Sequence, residues 1–234
     1  MDSKNQELNV SLHLNILPKA QRQLWRELDQ VPEEFTLYGG TAIALQLGHR
    51  QSVDFDFFGS RSFDPTKLQA KIPFLAGAQI RQREENTLTA IVHREDQVAV
   101  SFFGVPNLPR LMPPLVSHDN GLKIASLLDL AGTKASVVQL RAEAKDYLDL
   151  DMLVTKGGIS LPSALAAAQA LYGASFNPQI TLKALSYFED GDLRTLPEES
   201  KLRLATAARC VDLDRVPTLN ELIRDKGEDL DLGL

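Results

Sequence analysis

Asp54 and Asp56 stand two residues apart in a run whose other members, Val53, Phe55, Phe57 and Phe58, are apolar. On an extended strand alternate side chains share a face, which puts both carboxylates on one side, about 6–7 Å apart, and Val53, Phe55 and Phe57 on the other. Two like charges so placed repel unless a cation or water lies between them. An oxygen-only pair suits magnesium (or manganese). Because magnesium takes one or two carboxylates and completes its shell with water and phosphate oxygens, the pair points to a nucleotide site more than to a structural metal.

Upstream, Gly39 and Gly40 separate a short apolar segment from a run of good helix formers. Glycines at a helix start let the backbone N–H groups and the positive end of the helix approach a phosphate. Thr41 is placed to cap that helix. Arg50 and Ser52 add a guanidinium and a hydroxyl, with Ser52 on the carboxylate side by the period-two rule. Each feature alone has a plain alternative, since a glycine pair also marks a tight turn and Asp-x-Asp also marks a solvated strand face. In combination, with 13 residues between Gly40 and Asp54, they define one candidate pocket.

The elements that must carry these residues follow from periodicity. Helical spacing covers 18–30; strands are expected at 35–38, 53–58, 78–82, 87–93 and 97–103, with helices at 41–47 and 65–71. From Leu122 onward the pattern reads helical, with further helices near 147–154, 163–171, 180–188 and 201–210. The prolines at 106, 109, 113 and 114 separate the two regimes, which places a boundary after residue 116 and divides the chain into 1–116 and 117–234. The fold class is therefore α/β (α+β), a small mixed sheet with helices followed by an α-helical half, with the cleft between them.

Composition narrows the partners. The chain has 234 residues, 44% hydrophobic and 24% charged, with a formal net charge of −6, which argues against nonspecific coating of nucleic acid. The single cysteine, Cys210, closes no disulfide within the chain and fits a reducing, cytoplasmic setting. The opening residues carry charge where a signal peptide needs an apolar run, and the uncharged stretch 157–182 is too rich in Pro, Asn, Ser and Gln for a membrane span. His13, His49, His93 and His118 lack metal-ligand spacing, and His49 suits a C-terminal cap of the helix ending near Gly48. The acidic stretch 222–234 reads as a solvated end.

The composite of glycine turn, helix, Arg-x-Ser and alternating aspartates resembles the polymerase-beta-like nucleotidyltransferase superfamily. Residues 37–58, together with DLAGTKASVVQLRAEAKDYLDLDML downstream, are similar to the AbiEii/AbiGii family of nucleotidyltransferase toxins over roughly 35–154. The resemblance implies transfer of NMP from an NTP to an acceptor hydroxyl, on RNA such as tRNA or on a protein, and an antitoxin partner. It further implies that Gly39, Gly40, Thr41, Arg50 and Ser52 cradle the phosphates, that Asp54 and Asp56 hold the metal, that Lys134 binds triphosphate and that Asp146 handles metal or a proton. Arg141, Lys145 and Asp149 fall in the same downstream motif. By residue type alone, Lys134, Arg141 and Lys145 form a basic stripe if 134–145 is one helix; if the chain breaks near 139–144, Asp146 reads as a cap at a new helix start. One departure stands out: where the superfamily commonly has a third acid on a later strand, this chain has Ser101. That leaves a second reading, a catalytically degenerate nucleotide-binding or partner-binding module.

Overall fold

The computed structural model describes residues 12–106 and 108–224. The opening segment 1–11 and most of the expected solvated end, 225–234, lie outside the described residues; Leu222, the first residue of that expected end, is buried and so departs from the expectation.

Strand β1 (Phe35–Tyr38) runs directly into helix α2 (Gly39–Leu47), after a shorter first helix, α1 (Lys19–Trp25), than the spacing predicts. A separate 3-10 turn, Leu28–Gln30, takes up the remaining apolar positions. Strand β2 (Asp54–Gly59) follows, then α3 (Pro65–Lys71), which starts where Asp64 accepts from the N–H groups of Thr66 and Lys67 and Pro65 supplies a ready-made helical φ. Next come β3 (Gln79–Glu84), β4 (Thr87–His93) and β5 (Gln97–Gly104). They form a mixed sheet with two short strands, β6 (Leu115–Val116) and β7 (Lys123–Ile124), in the order β3-β4-β5-β2-β1-β7-β6. β2 lies antiparallel to β1 and parallel to β5, and β7 lies parallel to β1.

The expectation of helix from Leu122 is corrected here. Residues 123–124 are extended and join the sheet, and helix α4 (Leu127–Val137) begins only after Ser126, whose hydroxyl caps Asp129 N–H. The sheet therefore takes strands from both sides of residue 116. Helices α5 (Ala144–Thr155), α6 (Leu161–Tyr172), α7 (Pro178–Ala184) and α8 (Glu198–Cys210) complete the helical half. The gap between α4 and α5 rules out one continuous helix over 134–145.

Phe55, Phe57 and Phe102 are fully buried on one face of the sheet, with the Phe57 and Phe102 rings stacked at 5.0 Å. α4 packs against α6 closely enough that a Cβ on Gly132 would lie 2.9 Å from the Ala167 carbonyl carbon. Asp129, fully buried, accepts from the N–H groups of Leu111 (3.0 Å) and Met112 (3.2 Å) and from Ser126 Oγ (2.5 Å). That carboxylate pins the proline-rich passage to the start of α4.

Candidate active site

In β2 the half-exposed residues Asp54, Asp56 and Phe58 alternate with buried Phe55, Phe57 and Gly59, so the two carboxylates share one face as the period-two pattern predicts. Asp56 pairs across β1 with Tyr38 and across β5 with Ser101. The Ser101 hydroxyl hydrogen-bonds the Asp56 carboxylate, so the position of the missing acid faces the site but carries a neutral group. Burial and the charge of Asp54 together hold the Asp56 carboxyl above the usual range, against the pull of Lys134, Ser101 and Arg141.

Because β1 and β2 are antiparallel, the chain leaving Tyr38 enters α2 beside Asp56. Gly39 has φ +72°, a left-handed value that glycine adopts freely, and a Cβ there would lie 2.8 Å from Asp56 Oδ2. A Cβ on Gly40 would overlap Arg50 Nη2 and lie 3.2 Å from both Ser52 Oγ and Asp149 Oδ2. The two glycines thus leave room for a carboxylate and a guanidinium against the backbone. The first N–H groups of α2, at Gly39, Gly40 and Thr41, have no acceptor within the helix.

Two sequence expectations need correction. Thr41 makes no side-chain cap; its hydroxyl donates to the Asp54 carbonyl, tying α2 to the head of β2. His49 does not cap α2 either, because Gly48, at φ 63°, is the C-cap. Instead His49 Nε2 lies 2.8 Å from Asp149 Oδ1, and His49 Nδ1 is buried with no hydrogen-bond partner among the described residues.

Asp149 is the residue that spacing alone did not single out. It is fully buried on α5 and receives Arg50 through two bonds, Nε to Oδ1 at 2.7 Å and Nη2 to Oδ2 at 2.8 Å. Lys134 Nζ lies 2.7 Å from its Oδ2 and 2.5 Å from Asp146 Oδ1. Arg141 Nε donates to Asp146 Oδ2 at 2.7 Å. Burial alone would raise both carboxyls; bonds from His49 and Arg50 with the charge of Lys134 hold Asp149 well below the usual range, and Arg141 with Lys134 holds Asp146 below it. Asp146 sits in the first turn of α5 but does not cap it, since both its oxygens meet cations.

Asp54, Asp56, Gly39, Gly40, Arg50, Ser52, Lys134 and Asp146 are therefore gathered around one region. Its acids divide in two: Asp146 and Asp149 hold the cations, while Asp54 and Asp56 face each other's charge. The unneutralised pair fits a divalent cation. Among the described residues no group of three or more His, Cys, Asp or Glu is arranged to hold a metal, so water and phosphate oxygens would complete the shell of an ion there. A concave surface of about 440 Å³ beside α1, lined by Lys19, Val53, Glu95 and Gln97 among others, includes none of these groups.

Comparison with known proteins fits this geometry. An uncharacterized protein of Aquifex aeolicus (strain VF5) is 32% identical over 178 residues, covering 74% of this chain and 84% of that one. The fold is similar to that of MenT4, a nucleotidyltransferase toxin from Mycobacterium tuberculosis H37Rv, at a TM-score of 0.59 and 14% identity, covering 90% of this chain and 89% of that one. No helix of the described residues is long and apolar enough to cross a membrane. The family model for the nucleotidyl transferase AbiEii toxin of type IV toxin–antitoxin systems matches residues 22–223, and the chain belongs to that family.

Proposed function

We propose that the chain transfers a nucleoside monophosphate from an NTP to an acceptor hydroxyl, on RNA such as tRNA or on a protein, as the toxin of a cytoplasmic toxin–antitoxin pair. The observation that carries this reading is the pair of unneutralised carboxylates on β2, set against the free N–H groups at the start of α2 and within reach of a cluster of cations.

In this reading Asp54 and Asp56 hold magnesium or manganese, which supplies charge neutralisation at the α-phosphoryl group and at the departing pyrophosphate. The N–H groups of Gly39, Gly40 and Thr41 receive phosphate oxygens, Ser52 adds a hydroxyl, and Arg50 and Lys134 face the triphosphate charge. Asp146 and Asp149 act as positioning residues, since a carboxylate already bonded to two cations is a poor base. The segments 1–116 and 117–234 form the two walls of the cleft. Ser101 cannot take a proton from the acceptor, so the chain's contribution is positioning and charge.

The test is to incubate purified protein with magnesium, each α-labelled NTP and total RNA or protein extract, comparing wild type with Asp54→Ala and Asp56→Ala. Label transfer is expected only with wild type; transfer that survives both substitutions refutes the assignment. Ser101 favours a second reading, a module that binds nucleotide or a partner without turnover. Calorimetry separates the two: magnesium- and Asp54-dependent NTP binding with no transfer to any acceptor supports the module.

A further inference from the structure

The concave surface beside α1 is walled by the side of the sheet that faces away from Asp54 and Asp56. In β5, Val98 alternates with Ala99, the residue paired to Asp54, so Val98 points away from the carboxylates, as do the buried Val100 and Phe55. Helix α1 and the turn after it lie across this side and are pinned to the tip of the β4–β5 hairpin. Arg94 donates to both carboxylate oxygens of Glu27 at 2.7 Å, Gln23 donates to Glu95 Oε1 at 2.9 Å, and Lys19 Nζ lies 2.7 Å from Glu95 Oε2. The space so enclosed, about 440 Å³, is within the range of sites for small molecules.

One group in its wall has nothing to bond. Gln21 is 2% exposed, and neither atom of its amide has a hydrogen-bond partner among the described residues. Buried amides are almost always paired, so an orphan at the edge of a cavity marks a place where a partner belongs. Pro18, Val53 and Val98 make the neighbouring wall apolar, and Val53 is exposed to the space. At the rim the side chain of exposed Gln97 makes no hydrogen bond among the described residues, while Asp96 accepts the Gln97 N–H at 2.7 Å with one oxygen and keeps the other unengaged. Lys19, the one cation lining the space among the described residues, is already paired with Glu95. Asp96 therefore adds an uncompensated carboxylate.

We infer that this pocket binds an uncharged nucleobase or nucleoside, on the opposite face of the sheet from the aspartate site. A carboxamide presents a donor beside an acceptor, and the edge of a base, such as N6–H and N7 of adenine, presents the complement. Rotation of the Gln21 side chain into the pocket pairs both of its atoms with that edge at once. Pro18, Val53 and Val98 give the ring apolar contact, Gln97 offers a second carboxamide, and the unengaged oxygen of Asp96 accepts from a ribose hydroxyl. A 5′-phosphate would meet the carboxylates of Glu95 and Asp96 with no free cation to balance it, so the pocket discriminates against nucleotides. The inference does not depend on nucleotidyl transfer.

The test is calorimetric titration of the full chain with adenosine and with 5′-AMP. Adenosine should saturate wild type below about 1 mM, and 5′-AMP should bind about tenfold more weakly. Gln21→Met keeps the length of the side chain and removes both polar atoms. It should weaken adenosine binding about tenfold while melting at or above the wild-type temperature, because an unpaired buried amide does not support the fold. Val53→Glu, at an exposed position, sets a carboxylate in the apolar wall and should abolish adenosine binding. Asp56→Ala should leave that binding unchanged, since its carboxylate lies on the other face. Failure of adenosine to saturate wild type, equal affinity for 5′-AMP, unchanged affinity in Gln21→Met and Val53→Glu, or loss of affinity in Asp56→Ala would overturn the pocket. A Gln21→Met chain that melts below wild type would overturn it as well, by showing that the amide is bonded within the fold. None of these readouts uses an NTP, so the nucleotidyl-transfer reading stands or falls separately.

Discussion

Asp56 bears a charge that its surroundings oppose, since burial and Asp54 both favour its protonated form. A carboxyl raised in the folded state loses stability as pH rises through its folded value, so at neutral pH the pair weakens the metal-free fold. Asp56→Asn should therefore raise the melting temperature without magnesium by about 2–4 °C, the shift that about 1 kcal/mol produces in a chain of this size. Magnesium should stabilise wild type and leave the variant unmoved; thermal melts with and without the ion check both. Gly40→Ala should act differently, by pushing Arg50 aside, and should weaken NTP binding in calorimetry while melting within a few degrees of wild type. Both aspartates and both glycines were legible in the sequence because strand alternation and helix starts are local rules. Asp149 was not: its bonds to His49 and Arg50 span about a hundred residues, and no local period reports a contact made only by folding.

At the scale of elements, the close crossing of α4 and α6 brings Lys134 to its place. Gly132→Ala would set a Cβ 2.9 Å from the backbone of Ala167 and should cost about 1–3 kcal/mol, measured by denaturant unfolding, with weaker NTP binding as α4 is displaced. Strands β1 and β4 and helix α3 follow the sequence to the residue, because aromatic or β-branched runs and an Asp-Pro start are strong signals. β7 was hidden: Leu122, Ala125 and Leu128 keep helical spacing, and a two-residue strand owes its existence to β1 beside it rather than to its own residues. The first helix ends early for a similar reason, with Trp25 and Leu28 buried through two different turns.

Across the whole molecule, acid should act through the cation-holding carboxylates. Asp146 and Asp149 are depressed in the folded state, so the stability they contribute is present above the ordinary carboxylate range, about 4, and is lost as pH falls below it toward their folded values. Wild type should lose melting temperature steeply below that range, and Asp149→Asn, which strands Arg50 and leaves Lys134 to Asp146 alone, should lose about 3–5 kcal/mol at neutral pH and show a flatter acid limb. The general architecture was readable from the change of period along the chain. The meeting of Arg50 with α4 and α5 was not, since charge pairing between segments far apart in the chain leaves no trace in spacing. That meeting has a thermodynamic corollary. Arg50, just before β2, and Lys134, on α4, already converge on the Asp149 carboxylate before any nucleotide arrives, so the ordering entropy of the two proposed walls is spent during folding and not on encounter. Nucleotide capture should then resemble a key entering a rigid lock, with a small heat-capacity change in titration calorimetry; a large negative value, the mark of newly hidden apolar surface, would mean that the walls still travel.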